Sequence, residues 1–219
     1  MANLKTRRHE PAAEIALSEL TLFTGSLEEG AEYDAVDFTG HTLGPSSAAG
    51  ARFLGCRLER CGLDDVRFDG SRFAESRLAD LTATAIVAGE TTWRDTLISG
   101  LRVGAFMASG STWDLVRFRG VKANLLDLRG ARLANVVLED CEIGELDLGG
   151  GDVRALRVDR SSIEVLSVEG AHLADVDLVG AVLAVVRGIA GLRGATLSTV
   201  QLLELAPQFA ASLGISVRD

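Results

Sequence analysis

ARFLGCRLERCGLDDVRFDGSRFAESRLAD, residues 51–80, decides the fold. Cut into fives it reads ARFLG, CRLER, CGLDD, VRFDG, SRFAE and SRLAD, and the third residue of every quintet is Phe or Leu. Stepping by five in both directions from Phe53 meets an apolar residue every time, from Tyr33 through Trp93 and Trp113 to Leu183, 31 positions in one phase. With 47% of the 219 residues hydrophobic, chance produces such a run with a probability of roughly 10⁻¹⁰.

A period of five matches neither the 3.6 of a helix nor the 2 of a plain strand, so the chain must turn a corner every five residues. Two before the centre there is usually a small or β-branched residue, as at Ala51, Cys56, Cys61, Val66, Ser71, Ser76, Thr91 and Thr96. Residues two apart on extended chain share a face, so both positions point inward and the charged remainder faces water. Where the centre shrinks to Ala83, Ala88 or Ala108, its inward neighbour grows to Leu81, Ile86 or Phe106, the exchange that a close-packed interior demands. Gly recurs two after the centre, for example at 40, 70, 100, 130, 150 and 180, where a tight turn is expected.

The quintets ARFLG, CRLER, VRFDG and SRFAE, with ARLAN (131–135), VDLVG (176–180) and GATLS (194–198), resemble the A(D/N)LXX motif of pentapeptide-repeat proteins. The resemblance implies an all-β fold, a right-handed quadrilateral β-helix with four quintets per coil. With strands about 4.8 Å apart, the 31 quintets make about eight coils and a rod on the order of 37 Å long.

The phase slips at both ends. Leu17, Leu22 and Leu27 are spaced by five but stand one residue out of register with Tyr33, which predicts a one-residue bulge near 28–30. Leu192 and Leu197 resume the pattern after VVRGIAG (185–191) has lost one residue. Solenoid ends need caps, and the tail predicts an α-helical one: Ser198 or Thr199 as N-cap, then a face of Val200, Leu203 and Ala206. Pro207 is expected to kink the helix or start a second, which Gly214 ends. The chain thus divides into a flexible basic tail (1–14), the β-helix (15–197) and a helical cap with a dimerisation segment (198–219).

This tail is similar to the C-terminal segment of the Qnr and mycobacterial fluoroquinolone-resistance branch of the family. That likeness implies a symmetric homodimer through the C-terminal helix, with Leu202, Leu203, Leu205, Phe209 and Leu213 as its contacts. It further implies an acidic rod that imitates duplex DNA and binds DNA gyrase or topoisomerase IV, giving protection from fluoroquinolones. The long projecting loop of many Qnr proteins has no counterpart here.

The net charge of −9 disfavours direct nucleic-acid binding, which needs Lys and Arg on phosphates. Charge is uneven: +2 over residues 1–10, −7 over 11–50 with no Lys or Arg, +2 over 51–130 and −6 over 131–219. Twenty-residue stacking sets Asp127 above Asp147 and Glu139 above Asp159, with Glu142, Glu145, Asp152 and Glu164 nearby. Such rows are either a DNA-mimicking surface or a solvated acidic one. The competing function is a scaffold or binding module with an unrelated partner, using the mixed-charge central coils or the acidic region 11–50.

No catalytic set, metal site or cofactor follows from the remaining residues. Cys56, Cys61 and Cys141 fill the small inward position as compact hydrophobes, and three cysteines do not make a disulfide framework. His9, His41 and His172 are scattered; His41 points inward by phase, which suggests local distortion of GHTLGPSSAAG (40–50). Gly149, Gly150 and Gly151 read as turn residues and not a phosphate loop, Trp93 and Trp113 as an internal aromatic stack, and Arg52 and Arg72, one coil apart outside, as partners of nearby acids in preference to an anion site. With no run of roughly 20 apolar residues and no signal peptide, the protein is expected to be cytoplasmic.

Overall fold

A computed structural model describes residues 10–217; residues 1–9 of the expected tail, with His9, lie outside the described residues. Strands pair in parallel with a register of twenty. One column runs Tyr33, Phe53, Phe73, Trp93, Trp113, Leu133, Val153, Leu173, each hydrogen-bonded to the next coil. The result is a β-solenoid of about eight turns whose strands form a 14-stranded and an 8-stranded sheet.

The centre positions fill the interior. All are buried except Tyr33, Ala83 and Leu173, which are partly buried and pack on the same core. The ring column is stacked along the axis: Phe53 on Phe73 at 4.5 Å, Phe73 on Trp93 at 4.1 Å and Trp93 on Trp113 at 4.9 Å, all within 5° of parallel. Each indole N–H is satisfied by the inward hydroxyl two residues before it, Trp93 by Thr91 at 2.7 Å and Trp113 by Ser111 at 2.6 Å. Phe106, the large partner of Ala108, meets both indoles edge-on at about 6 Å, the arrangement ring quadrupoles favour.

Corners are made by residues in the left-handed region, and only some of them are glycine. Gly70 (φ 66°) needs no side-chain compromise, but Leu115 (φ 57°) and Arg160 (φ 44°) hold the same conformation at a cost of roughly 1–2 kcal/mol each. The fourth corner departs from the expectation of a tight turn every five residues. Strands Thr82–Val87, Arg102–Met107, Lys122–Asp127, Glu142–Asp147 and Ser161–Ser167 run through it without a left-handed residue. Gly180 also lacks a positive φ; there a Cβ would sit 2.8 Å from the Val158 carbonyl oxygen.

The N-terminal coil corrects the sequence reading. Leu22 is 72% exposed and Phe23 takes the inward place, its ring tilted against Phe38 at 4.5 Å. Thr21 pairs with Val36, so this coil is 36 − 21 = 15 residues long, one whole quintet short. His41 keeps its inward phase at this end, with its ring edge-on to Phe23 at 5.4 Å. At the other end Val176 pairs with Ala195, a register of 195 − 176 = 19, so one residue is lost between Arg187, still in register with Ser167, and Ala195, the stretch that holds the 3₁₀ turn Ile189–Leu192.

Helix Thr199–Ser212 closes the C-terminal end, with Ser198 and Gln201 forming a reciprocal capping box. Pro207 lies inside it, and Leu213 with Gly214 (φ 71°) ends it. The buried face is not Val200, Leu203 and Ala206, which are exposed, but Gln201 and Leu205. Gln201 Nε2 donates to the carbonyls of Leu178 (2.7 Å) and Ala181 (2.6 Å), and Gln208 bonds Val186 and Ala184. The last coil presents unpaired backbone groups, and amide side chains satisfy them where an apolar one could not.

Trp113→Ala should empty a site packed between Trp93 and Leu133 of the neighbouring coils and lower stability by about 3–5 kcal/mol, read as a fall in the urea midpoint with the far-ultraviolet spectrum of the native rod retained.

Candidate interaction surfaces

The acidic rows stand in the expected register: Asp127 beside Asp147 and Glu139 beside Asp159. They do not form one surface. Asp127, Glu142, Glu145, Asp147 and Glu164 ride on the 8-stranded sheet, whereas Glu139, Asp152 and Asp159 ride on the 14-stranded sheet.

Most of these carboxylates are also neutralised by a neighbouring cation. Asp127 is 6% exposed and takes a two-pronged hydrogen bond from Arg129, at 2.9 Å from Nε and 2.7 Å from Nη2. That bond holds its carboxyl below the usual range against the opposing effect of burial. Asp147 accepts the Gly149 N–H at 2.9 Å and lies 3.8 Å from Arg129. Glu139 binds Arg160 (2.8 Å), Arg117 (3.0 Å) and Arg119 (3.4 Å), and the Arg160 bond first among these lowers its pKa. Arg160 also grips Asp140 and Asp159. Glu142 pairs with Lys122 (2.6 Å), Glu145 with Arg187 (2.7 Å) and Asp152 with Arg154 (3.0 Å). Only Glu164 of the eight has no cation within 4 Å among the described residues. Glu142, Glu145 and Glu164 line one open groove of about 720 Å³ together with Arg102 and Lys122, so its walls carry both signs.

At the C-terminal end Leu202, Leu203 and Leu213 are exposed, Leu203 to 70%, while Leu205 is 1% exposed. Leu205 is therefore part of the cap's own packing and not of an outer face; Phe209 is partly buried against the core.

The remaining candidates have structural settings. The thiols of Cys56, Cys61 and Cys141 are free and buried, and burial pushes Cys56 up to about 11. Gly150 (φ 65°) is a corner, and Gly151 N–H bonds Leu148 O at 3.0 Å, which makes this triplet a turn. Arg52 pairs with Glu32 at 2.9 Å and stands in register with Arg72. Among the described residues no group of three or more His, Cys, Asp or Glu is placed to hold a metal ion, and no helix is long and apolar enough to cross a membrane.

One surface was not anticipated. Arg117 holds an outward position yet is 6% exposed, because residues 10–14, assigned above to the tail, lie against it. Its Nη2 donates to Pro11 O at 2.8 Å and its Nε to Ala12 O at 3.2 Å, while Arg119 donates to Ala13 O at 3.0 Å. The sequence does carry a signal: the outward column beside the centres contains Leu97 and Val137, apolar residues that are buried here although the repeat alone would leave them wet.

Five-residue phase, twenty-residue register and a filled interior make the chain a parallel β-solenoid built from five-residue units. No protein-family model matches it, and no curated protein does. Among solved structures it is similar to QnrB1, a plasmid-mediated fluoroquinolone resistance protein, at 15% identity and a TM-score of 0.48, covering 90% of this chain and 95% of that one. A second QnrB1 structure aligns at 12% identity and a TM-score of 0.36 over 86% and 99%. HetL, a pentapeptide repeat protein involved in heterocyst differentiation regulation from the cyanobacterium Nostoc sp. strain PCC 7120, aligns at 15% identity and a TM-score of 0.37 over 79% and 92%.

The arginine clamps make an acid-sensitive surface. Asp127 and Glu139 have lowered pKa values in the fold, so their contribution is present above the unfolded values of about 3.9 and 4.3 and is lost as pH falls through the folded values. Asp127→Asn with Glu139→Gln should therefore be less stable than the parent at pH 7, and the gap should close as thermal melts are repeated toward pH 3.

Proposed function

We propose that the chain is a non-enzymatic interaction protein that pairs through its C-terminal end and offers the acidic flanks of the doubled rod to a basic surface on a protein partner. The observation that carries this reading is where large apolar side chains stay exposed. Among the described residues, apart from Leu22 and Leu54, they all fall between Val179 and Val217, on the last coils, the cap helix and the stretch after it. A patch gathered at one end of a rod suits a two-fold contact. The specific partner, DNA gyrase or topoisomerase IV engaged by a partial DNA mimic, rests on the likeness of the repeats and tail to the fluoroquinolone-resistance branch.

A second reading is favoured by the ion pairs. Seven of the eight acids assigned to the mimic surface lie within 4 Å of an Arg or Lys, whereas duplex DNA carries one charge per 1.7 Å or so. A mixed-sign surface of this kind fits a scaffold whose partner is unrelated to topoisomerases.

Two measurements test this. Light scattering should give twice the chain mass for the parent, and Val200→Asp with Leu203→Asp, both exposed positions, should give a folded monomer. A gyrase supercoiling assay with the protein titrated in should show activity restored in the presence of a fluoroquinolone, with Glu142→Lys and Glu164→Lys weakening the effect. No change in supercoiling at micromolar protein, with the dimer present, would assign the rod to the scaffold reading.

A further inference from the structure

The segment 10–14 lies lengthwise on the rod, over a column of outward residues in the 14-stranded sheet: Arg77, Leu97, Arg117, Val137 and Arg157, each in register with the next. Cations alternate with apolar residues, so the arginines stand two coils apart, about 9.6 Å, or close to three residues of extended chain. Glu10 pairs with Arg157, the carbonyls of Pro11 and Ala12 with Arg117, and Glu14 with Arg119 (3.6 Å) and Arg77 (3.9 Å). The column thus reads a peptide in two ways. The buried guanidinium of Arg117 binds main-chain carbonyls, which any sequence offers, while the outer arginines select a carboxylate at each end of a short apolar stretch.

The fit of the segment is incomplete at one point. Arg77 Nε is buried with no hydrogen-bond partner, a donor that residues 10–14 leave unanswered and that costs stability as it stands. An occupant with an acceptor there gains a bond that the chain's own segment lacks.

We propose that this arginine-stepped groove is a docking site for an extended acidic segment of a protein partner, and that residues 10–14 occupy it as a built-in competitor. The partner segment carries two carboxylates about four residues apart around small apolar residues, laid in the same direction as Glu10–Pro11–Ala12–Ala13–Glu14. Tethering gives the chain's own segment a high effective concentration, so the groove opens only to a ligand that binds better or when the segment is weakened. This inference rests on the rod being a protein-binding surface but not on the partner being a topoisomerase.

The test uses the full chain with Glu10→Lys and Glu14→Lys, which weakens the segment and leaves the groove intact. The probe is a fluorescently labelled peptide, EPAAEIALSE, followed by anisotropy at low salt. Binding should be at least about tenfold tighter to this variant than to the parent, and it should be lost when Arg117→Leu is added. Because Arg117 is buried, Arg77→Gln with Arg157→Gln provides a second check at positions more open to solvent and should weaken binding by a comparable factor. A peptide in which the glutamates corresponding to Glu10 and Glu14 are replaced by Lys should not bind. Equal affinity for parent and variant, or binding that survives both sets of arginine changes, overturns the proposal. So does a shift of the variant to an oligomer in which the segments of two copies are exchanged. Peptide failure alongside a positive supercoiling assay removes the groove alone; peptide binding alongside a negative one removes the topoisomerase partner alone.

Discussion

The inter-coil hydrogen-bond ladder is the constraint from which the remaining geometry follows. Parallel strands one coil apart must meet residue for residue, so the coils between the two ends close after the same number of residues, and twenty is the number kept from Tyr33 to Leu173. That demand is strong enough to hold residues such as Leu115 and Arg160 in a left-handed conformation they would avoid alone. It also aligns like with like along the axis, which is why four stacked rings lie within a few degrees of parallel and why Asp127 and Asp147 face the same way. Parallel pairing puts carboxylates in rows without regard to their repulsion, and the arginines that clamp them relieve it.

The repeat was legible because its information is local: a centre, a small inward neighbour and a corner residue recur within each five residues, and volume exchange between Phe106 and Ala108 confirms their shared interior. The ends were misread because there the rule is set by the coil left uncovered. Leu22 has the right spacing from Leu17 and Leu27, and Leu27 is buried, yet Phe23 is inward because it stands two quintets before Tyr33 and the shortened coil, by omitting a whole quintet, keeps that phase. In the cap helix, hydrophobicity pointed to Val200 and Leu203, but the last coil needs hydrogen-bond donors more than apolar area, so Gln201 faces it.

Of the candidate surfaces, the register of the acidic rows could be read from the sequence and their electrostatic state could not. Arg129 reaches Asp127 two residues away, Lys122 reaches Glu142 twenty away and Arg187 reaches Glu145 forty-two away. Those contacts depend on rotamers and coil positions that no five-residue pattern encodes. The burial of Leu97, Arg117 and Val137 needed a segment more than eighty residues distant in sequence.

A solenoid whose coils touch only their neighbours loses structure from its ends one coil at a time. A chain segment that runs lengthwise alters this. Glu10 is bound at Arg157 and Glu14 at Arg77, coils that share no strand pairing, so loosening at either place is felt at the other. The N-terminal segment thus acts as a longitudinal brace: it couples the melting of separated coils and gives cooperativity to an architecture that is otherwise one-dimensional.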